Sequence, residues 1–329
     1  IKLSIDNSKK IILSFSVAGL LLAVMFIIAV NTGSLSVSIG KLLKGLFVSY
    51  DADVATIYDL RFPRIFISIL AGAAIAVSGV LFQAVLKNPL ADPGIIGISS
   101  GAVLITAAAP TLFFLTPIFA FFGGVIAFFM VYLLSWKGGL SPLRIILTGV
   151  AVNSLFTGLS SAFNSMSGGD RTGVASIVEA NITQKTWDDV RTLLPYVIAG
   201  MILAILFAGE CNLLSLEDKT ARGLGVNVNR TRIVISLIAV LLASIATAIA
   251  GAISFLGLIV PHIGRIFVGS DHKKLIPFSA IAGAFTFLTA DTIGRTIAAP
   301  NEVSAAVIMS VIGGPFFILL LRRSKKYGN

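Results

Sequence analysis

The sequence has few of the residues from which soluble and catalytic proteins are built. Its single cysteine, Cys211, excludes an internal disulfide and leaves no second thiol for a zinc site. Its two histidines, His262 and His272, are too few for a metal centre, which needs three or four ligands. Structural roles are expected for both. Charged residues make up 12% of the 329, about half the share typical of a soluble domain. No G-x-x-x-x-G-K-[ST] segment occurs, and Gly40-Lys41 is followed by Leu42, so no nucleotide-phosphate cradle is encoded. Ser167-Gly168-Gly169-Asp170 reads as an ordinary turn.

Hydrophobic residues, by contrast, are 56% of the chain, and about 65% with the 31 glycines included. That excludes a soluble domain, and it excludes disorder, which requires low hydrophobicity. The apolar residues fall into ten runs: Ile11–Val30, Ile65–Leu86, Ile95–Ala109, Ile118–Ser135, Ile145–Met166, Val190–Gly209, Ile233–Ala250, Ile253–Val268, Leu275–Thr292 and Val303–Leu321. A spanning helix needs about 20 mainly apolar residues, so ten of them leave no room for a separate soluble domain. The expected fold is all-α, one transmembrane domain over residues 1–329. The third and eighth runs are short and rich in Gly and Pro, as suits helices buried among other helices. The first run follows Lys9-Lys10 but is long and lacks a cleavage site, so it reads as a span, not a signal peptide. The chain opens at Ile1 and not at methionine, so further residues upstream are expected.

Ten spans put both termini on one side. Seventeen Lys and Arg fall on that side and eight on the other, which places the termini in the cytoplasm by the positive-inside rule. The net charge of +10 is therefore read as a topology signal and not as a nucleic-acid surface. Three connections are long: Asn31–Arg64 and Ser167–Asp189 outside, Glu210–Arg232 inside. Small residues such as Ala71-Gly72-Ala73-Ala74 and Ser78-Gly79 allow helix backbones to approach closely. Of the ionisable residues, Asp291 and Arg265 come near membrane depth. Asp291 precedes Arg295 by four positions, so the two are expected to pair.

Three polar clusters stand out. Arg61-Phe62-Pro63-Arg64 opens the second span from outside, either as an interfacial anchor or as a cationic patch for an acidic partner. Residues Gln83–Ala102 carry Pro89, Pro93, Gly94, Gly97 and Gly101, which predicts a tight turn and a broken helix start. This is a gate candidate or a plain loop. Leu213–Gly225 alternates apolar and charged residues and stops at glycine, which predicts one short amphipathic helix. It either lies on the membrane surface or docks a cytosolic protein.

These three clusters, with Gly257-Leu258-Ile259-Val260-Pro261-His262, Asp271-His272 and Gly313-Gly314-Pro315, resemble the permease subunits of type II ABC importers. That family carries ferric siderophores, haem and vitamin B12, and the resemblance spans residues 61 to 323. It implies ten spans in a bacterial cytoplasmic membrane, a second permease subunit, two cytosolic ATPases and an external solute-binding protein. No catalytic residue, metal or cofactor is implied. Arg61, Arg64 and Arg295 would meet acidic residues of the binding protein. Asn88, Pro89 and Leu90, with Pro142 and Leu143, would form the cytoplasmic gate. Glu217, Asp218, Ala221, Arg222, Leu224 and Gly225 would couple to the ATPase.

Two departures from the family pattern lie on the outer face. Ile177-Val178-Glu179-Ala180-Asn181 replaces Trp-x-x-Gly-Ser, and Asn301-Glu302-Val303-Ser304-Ala305 replaces Glu-Leu-Pro-Val-Gly. They suggest a heterodimer with a more regular permease. A ferric siderophore is the leading cargo, with haem or vitamin B12 as alternatives. An ion-coupled secondary transporter is the competing class, but it should bind substrate at mid-membrane through charged groups, and the sequence offers few.

Overall fold

A computed structural model describes residues 2–33, 37–108, 115–135, 142–166 and 182–324. Every regular element among them is helical: α1 (Lys2–Asn31), α2 (Ile39–Phe47), α3 (Ala52–Leu60), α4 (Phe62–Leu86), α5 (Ile98–Ala108), α6 (Thr116–Ser135), α7 (Pro142–Met166), α8 (Trp187–Leu206), α9 (Ala208–Leu214), α10 (Asp218–Gly223), α11 (Val228–Ala250), α12 (Leu256–Val268), α13 (His272–Ile297) and α14 (Ala305–Ser324). Hydrocarbon offers backbone groups no partner, so each spanning segment must satisfy its own, and the helix does so locally.

Each of the ten apolar runs coincides with a helix, but they are not equal. Among the described residues, seven stretches are long and apolar enough to cross a membrane: Ser8–Asn31, Ala52–Leu86, Thr116–Ser135, Arg144–Phe163, Trp187–Leu206, Val228–Ala250 and His272–Ile297. Helices α5, α12 and α14 are the shorter or less apolar three. The segment 31–64, expected as a loop, is largely helical. Asp51 caps α3 by accepting from the N–H groups of Asp53 and Val54, and Ser38 caps α2 through Lys41. The spacing of Leu42, Leu43 and Leu46 gives α2 an apolar face that a search for 20-residue runs passes over.

Helix α4 is the axis of the bundle. It is buried along nearly its whole length and packs most extensively on α13, then on α11, with α12 and α8 completing its surround. Two glycine contacts make this possible. A Cβ on Gly79 would run into the Gly257 carbonyl of α12, and one on Gly72 would meet the Gly283 carbonyl of α13. Backbone against backbone is how helices associate where the hydrophobic effect supplies no drive.

The bundle has two polar ends. One carries Arg61, Arg64, Asp291 and Arg295, and is called the Arg64 end. The other carries Lys87, Asn212, Asp218 and Arg232, and is called the Lys87 end.

Candidate functional site

At the Lys87 end, α4 stops because Lys87 adopts the left-handed conformation (φ 49°) and the chain turns under the bundle. Asn88 is buried. Its side-chain oxygen accepts from the Leu90 N–H at 3.0 Å, and its carbonyl accepts from the Ala91 N–H at 3.1 Å. Pro89 is exposed and Leu90 half-buried. Gln83 holds this turn from inside. Its amide donates to the carbonyls of Ala91 and Gly257, and its oxygen accepts from Arg265 Nη1 at 2.6 Å. Arg265, flagged as a deep cation, is thus engaged by an amide.

Asp92 was not anticipated. It is fully buried, and its Oδ2 accepts from the N–H groups of Gly94 (2.9 Å) and Ile95 (3.3 Å). Its other oxygen lies against Gly257 in the first turn of α12, where a helix N-terminus favours negative charge. A signal was available: Asp92 is the single acidic residue between Asp59 and Asp170. The turn then rests on α7, where a Cβ on Gly149 would sit 2.8 Å from the Ile95 carbonyl. Pro142 and Leu143 open α7, where a proline's missing N–H goes unused. Their side chains lie outside the described residues.

The predicted single helix over 213–225 is two helices, α9 and α10, broken at Ser215-Leu216-Glu217. Helix α10 ends as expected at glycine. Gly225 (φ +87°) donates to the Arg222 carbonyl and Val226 to that of Ala221, the double bond of a Schellman stop. Glu217, Arg222, Leu224 and Gly225 are exposed, Ala221 is buried, and Asp218 is half-buried. Asp218 is gripped from two sides, by Lys87 Nζ at 2.8 Å and Arg232 Nη2 at 2.9 Å, while Lys87 also donates to the Leu216 carbonyl. Lys87 and then Arg232 hold the Asp218 carboxyl below the usual carboxylate range. On the far side, Asn212 of α9 donates to Asp271 and accepts from the backbone N–H of His272. His272 is buried against the same asparagine, a structural role.

At the Arg64 end the three candidate arginines converge, but their guanidinium groups are engaged within the chain. Arg64 is buried. Its Nε and Nη2 bind the Asp291 carboxylate at 2.8–3.1 Å, and its Nη1 binds Glu302 at 2.8 Å. Arg295 does approach Asp291, at 3.6 Å, but Arg64 is the nearer partner. Arg295 also donates to the Ala29 carbonyl and Arg61 to the Val30 carbonyl, so both cap the last turn of α1. Glu302, part of the segment that departs from the family pattern, is bound by Arg64 and by Thr183. The other departure, Ile177–Asn181, lies outside the described residues, as does Ser167–Asp170.

Between the two ends, α7 presents Ser154, Thr157, Gly158, Ser161 and Ser165 to the outside. Beside this face lies a cavity of about 200 Å³ lined by Ser99, Ser100, Asn153, Ser160 and Ser254, the last from the irregular stretch that joins α11 to α12. None of the described side chains around it is charged, and Val103, Ala252 and Ile253 complete the wall.

A bundle of membrane-length apolar helices around a largely buried central helix defines a polytopic membrane protein. The FecCD transport family model matches residues 21–323, and the chain belongs to that family. It is 39% identical to the probable heme-iron transport system permease protein IsdF of Staphylococcus aureus strain MSSA476, over 98% of both chains. It is 36% identical to the iron(3+)-hydroxamate import system permease protein FhuG of Bacillus subtilis, over 97% of this chain and 99% of that one. Its fold matches an inward-facing metal-chelate type ABC transporter with a TM-score of 0.79 and 27% identity, covering 94% of this chain and 99% of that one.

Proposed function

We propose that the chain is the permease subunit of an ATP-binding-cassette importer in a bacterial cytoplasmic membrane. It would cross ten times with both termini inside, and move an iron chelate handed over by an external binding protein. The observation that carries this reading is the outer face of α7. Ser154, Thr157 and Ser161 are exposed within the membrane-length stretch Arg144–Phe163, where lipid is a poor neighbour for hydroxyls. A second permease subunit placed against α7 would turn that face and the adjoining 200 Å³ cavity into the wall of a shared path. A heterodimer is favoured by the unusual outer segment around Glu302.

Asn88, Pro89 and Leu90, with Pro142 and Leu143, would close the cytoplasmic mouth by apolar and amide packing. Helices α9 and α10, with Glu217, Arg222 and Leu224 exposed, would seat in the ATPase. Asp218 would pass its displacement to the gate through Lys87. On the outer face, Arg61 would contact the binding protein, while Arg64 and Arg295 would hold the platform in shape.

The cargo is a ferric siderophore of the hydroxamate kind. Hydroxyls and the Asn153 amide alternate with Val103 and Ile253 around the cavity and no described side chain there is charged, which suits an uncharged, amide-like chelate whose metal is already enclosed. The second reading is haem, favoured by the 39% identity to a probable haem-iron permease. Proteoliposomes holding the permease pair, the ATPase and the binding protein should take up a ferric hydroxamate only with ATP. Uptake by the chain alone under an ion gradient would overturn the reading, and uptake of haem but not hydroxamate would select the second.

A further inference from the structure

A lateral groove to which α7 contributes no residue has no part in that scheme. It runs between α1, α12 and α13, has a volume of about 420 Å³, and is walled by Val17, Ile263, Phe267, Phe278 and Ala282. Ala18 and Ala282 make it deep, and the Phe278 ring is fixed by Phe15 (5.5 Å, edge-on) and Phe267 (6.1 Å). Two hydroxyls reach the groove, Ser14 and Thr286. Each donates to a carbonyl of its own helix, at Lys10 and Ala282, so the wall makes no polar demand on an occupant.

The charge is confined to one rim. Lys10 lines the groove at the Lys87 end, and it carries no ion pair among the described residues. On α13 the lining positions Phe278, Ala282 and Thr286 repeat every four residues, and one turn earlier on the same stripe stands Lys274. Its ammonium is about half exposed, with Asp271 at 3.9 Å. Lys9 and Lys273 are exposed beside them. From Lys10 to Leu21 the groove climbs eleven residues of helix, about 16 Å, or roughly half of a hydrocarbon core.

We infer that this groove is a binding site for one anionic phospholipid of the adjacent leaflet. An acyl chain would lie along Val17, Ile263 and Ala282, with its phosphate between Lys10 and Lys274. An apolar slot one leaflet deep with cations at the headgroup level matches a lipid in length, polarity and sign of charge. A protein helix would present side chains along the whole slot and would find no polar partner there. The inference rests on the proposed orientation only in naming the leaflet as cytoplasmic.

The test is native mass spectrometry of the purified permease, released from nanodiscs of equal phosphatidylglycerol and phosphatidylcholine. The wild type is expected to retain phosphatidylglycerol in preference. Lys10→Gln/Lys274→Gln should lower that preference by about 25-fold, taking about fivefold for each lysine near the headgroup surface. Lys10→Arg/Lys274→Arg should keep it, and it serves as the reading if the glutamine pair fails to fold. Ala282→Phe should displace both lipids by filling the slot. Equal retention of the two lipids by the wild type would overturn the site, as would an unchanged preference in the glutamine pair. A loss of protein–protein mass in Ala282→Phe, with lipid unchanged, would do so too by showing a second chain in the groove. Neither ATP nor iron chelate enters this measurement, so its outcome is independent of the transport experiment above.

Discussion

Removing the charge of Asp291 should be among the most damaging single changes in this chain. The side chain is 1% exposed, and its two oxygens receive Arg64 Nε at 3.0 and 3.1 Å and Nη2 at 2.8 Å, with Arg295 behind at 3.6 Å. Asp291→Asn keeps the shape but leaves Arg61, Arg64 and Arg295 clustered around one remaining acid among the described residues, Glu302. Two unit charges about 4 Å apart interact by about 4 kcal/mol at an effective dielectric constant near 20. Breaking one partner of a buried pair generally costs about 3–5 kcal/mol, so the two routes agree. In a thermal-shift assay on the purified permease, Asp291→Asn should lower the midpoint on the order of 5–15 °C. Arg64→Met/Asp291→Leu should lose markedly less than the two single changes added together, because it leaves no unpaired buried charge. A single variant within about 2 °C of wild type, or a strictly additive double variant, would show that water reaches the cluster and screens it.

Four further outcomes follow from the same geometry. Asp218→Asn should fold normally but import less chelate per ATP hydrolysed, and Asp218→Glu should recover most of the loss; normal coupling in Asp218→Asn would detach α10 from the gate. Because Lys87 and Arg232 depress the Asp218 pKa, its contribution is present above the ordinary carboxylate value and is lost only as pH falls through the lower folded one. ATPase stimulation between pH 5 and 8 should therefore contain no titration that Asp218→Asn removes, and a neutral-pH component abolished by that variant would contradict the assignment. Gly79→Ala must push α4 away from the Gly257 carbonyl and should cost about 1–3 kcal/mol or more, read as a lower melting midpoint, whereas Gly223→Ala, with nothing nearby, should not. Arg61→Glu should weaken binding-protein affinity at low salt while Arg64→Glu lowers stability first, and equal affinity for Arg61→Glu and wild type would make Arg61 a cap of α1 alone.

The sequence by itself determined that the chain is helical and membrane-embedded, where its ten apolar runs lie, and where α4 and α10 stop. These are local matters. A run of apolar residues in hydrocarbon must close its own backbone hydrogen bonds, and Lys87 and Gly225 mark turns through conformations set within a few residues. The turn after Lys87 was legible for the same reason, as was a charged helix that stops at glycine, although it begins at Asp218 and not at Leu213. Only the tertiary structure decided which charges meet. Arg64 reaches Asp291 across 227 positions, and Arg265 reaches Gln83 across 182. By spacing, Asp291 belonged to Arg295, four residues on, yet Arg64 lies closer because α13 packs against α4 through Gly72 and Gly283. That contact also turns Arg64 inward, and the approach of α4 to α12 at Gly79 and Gly257 accompanies a buried Asp92 where the sequence showed only a polar turn. Helix formation is satisfied residue by residue, whereas helix pairing is chosen by small-residue surfaces that match over distance, and those surfaces assign each ionisable group its partner.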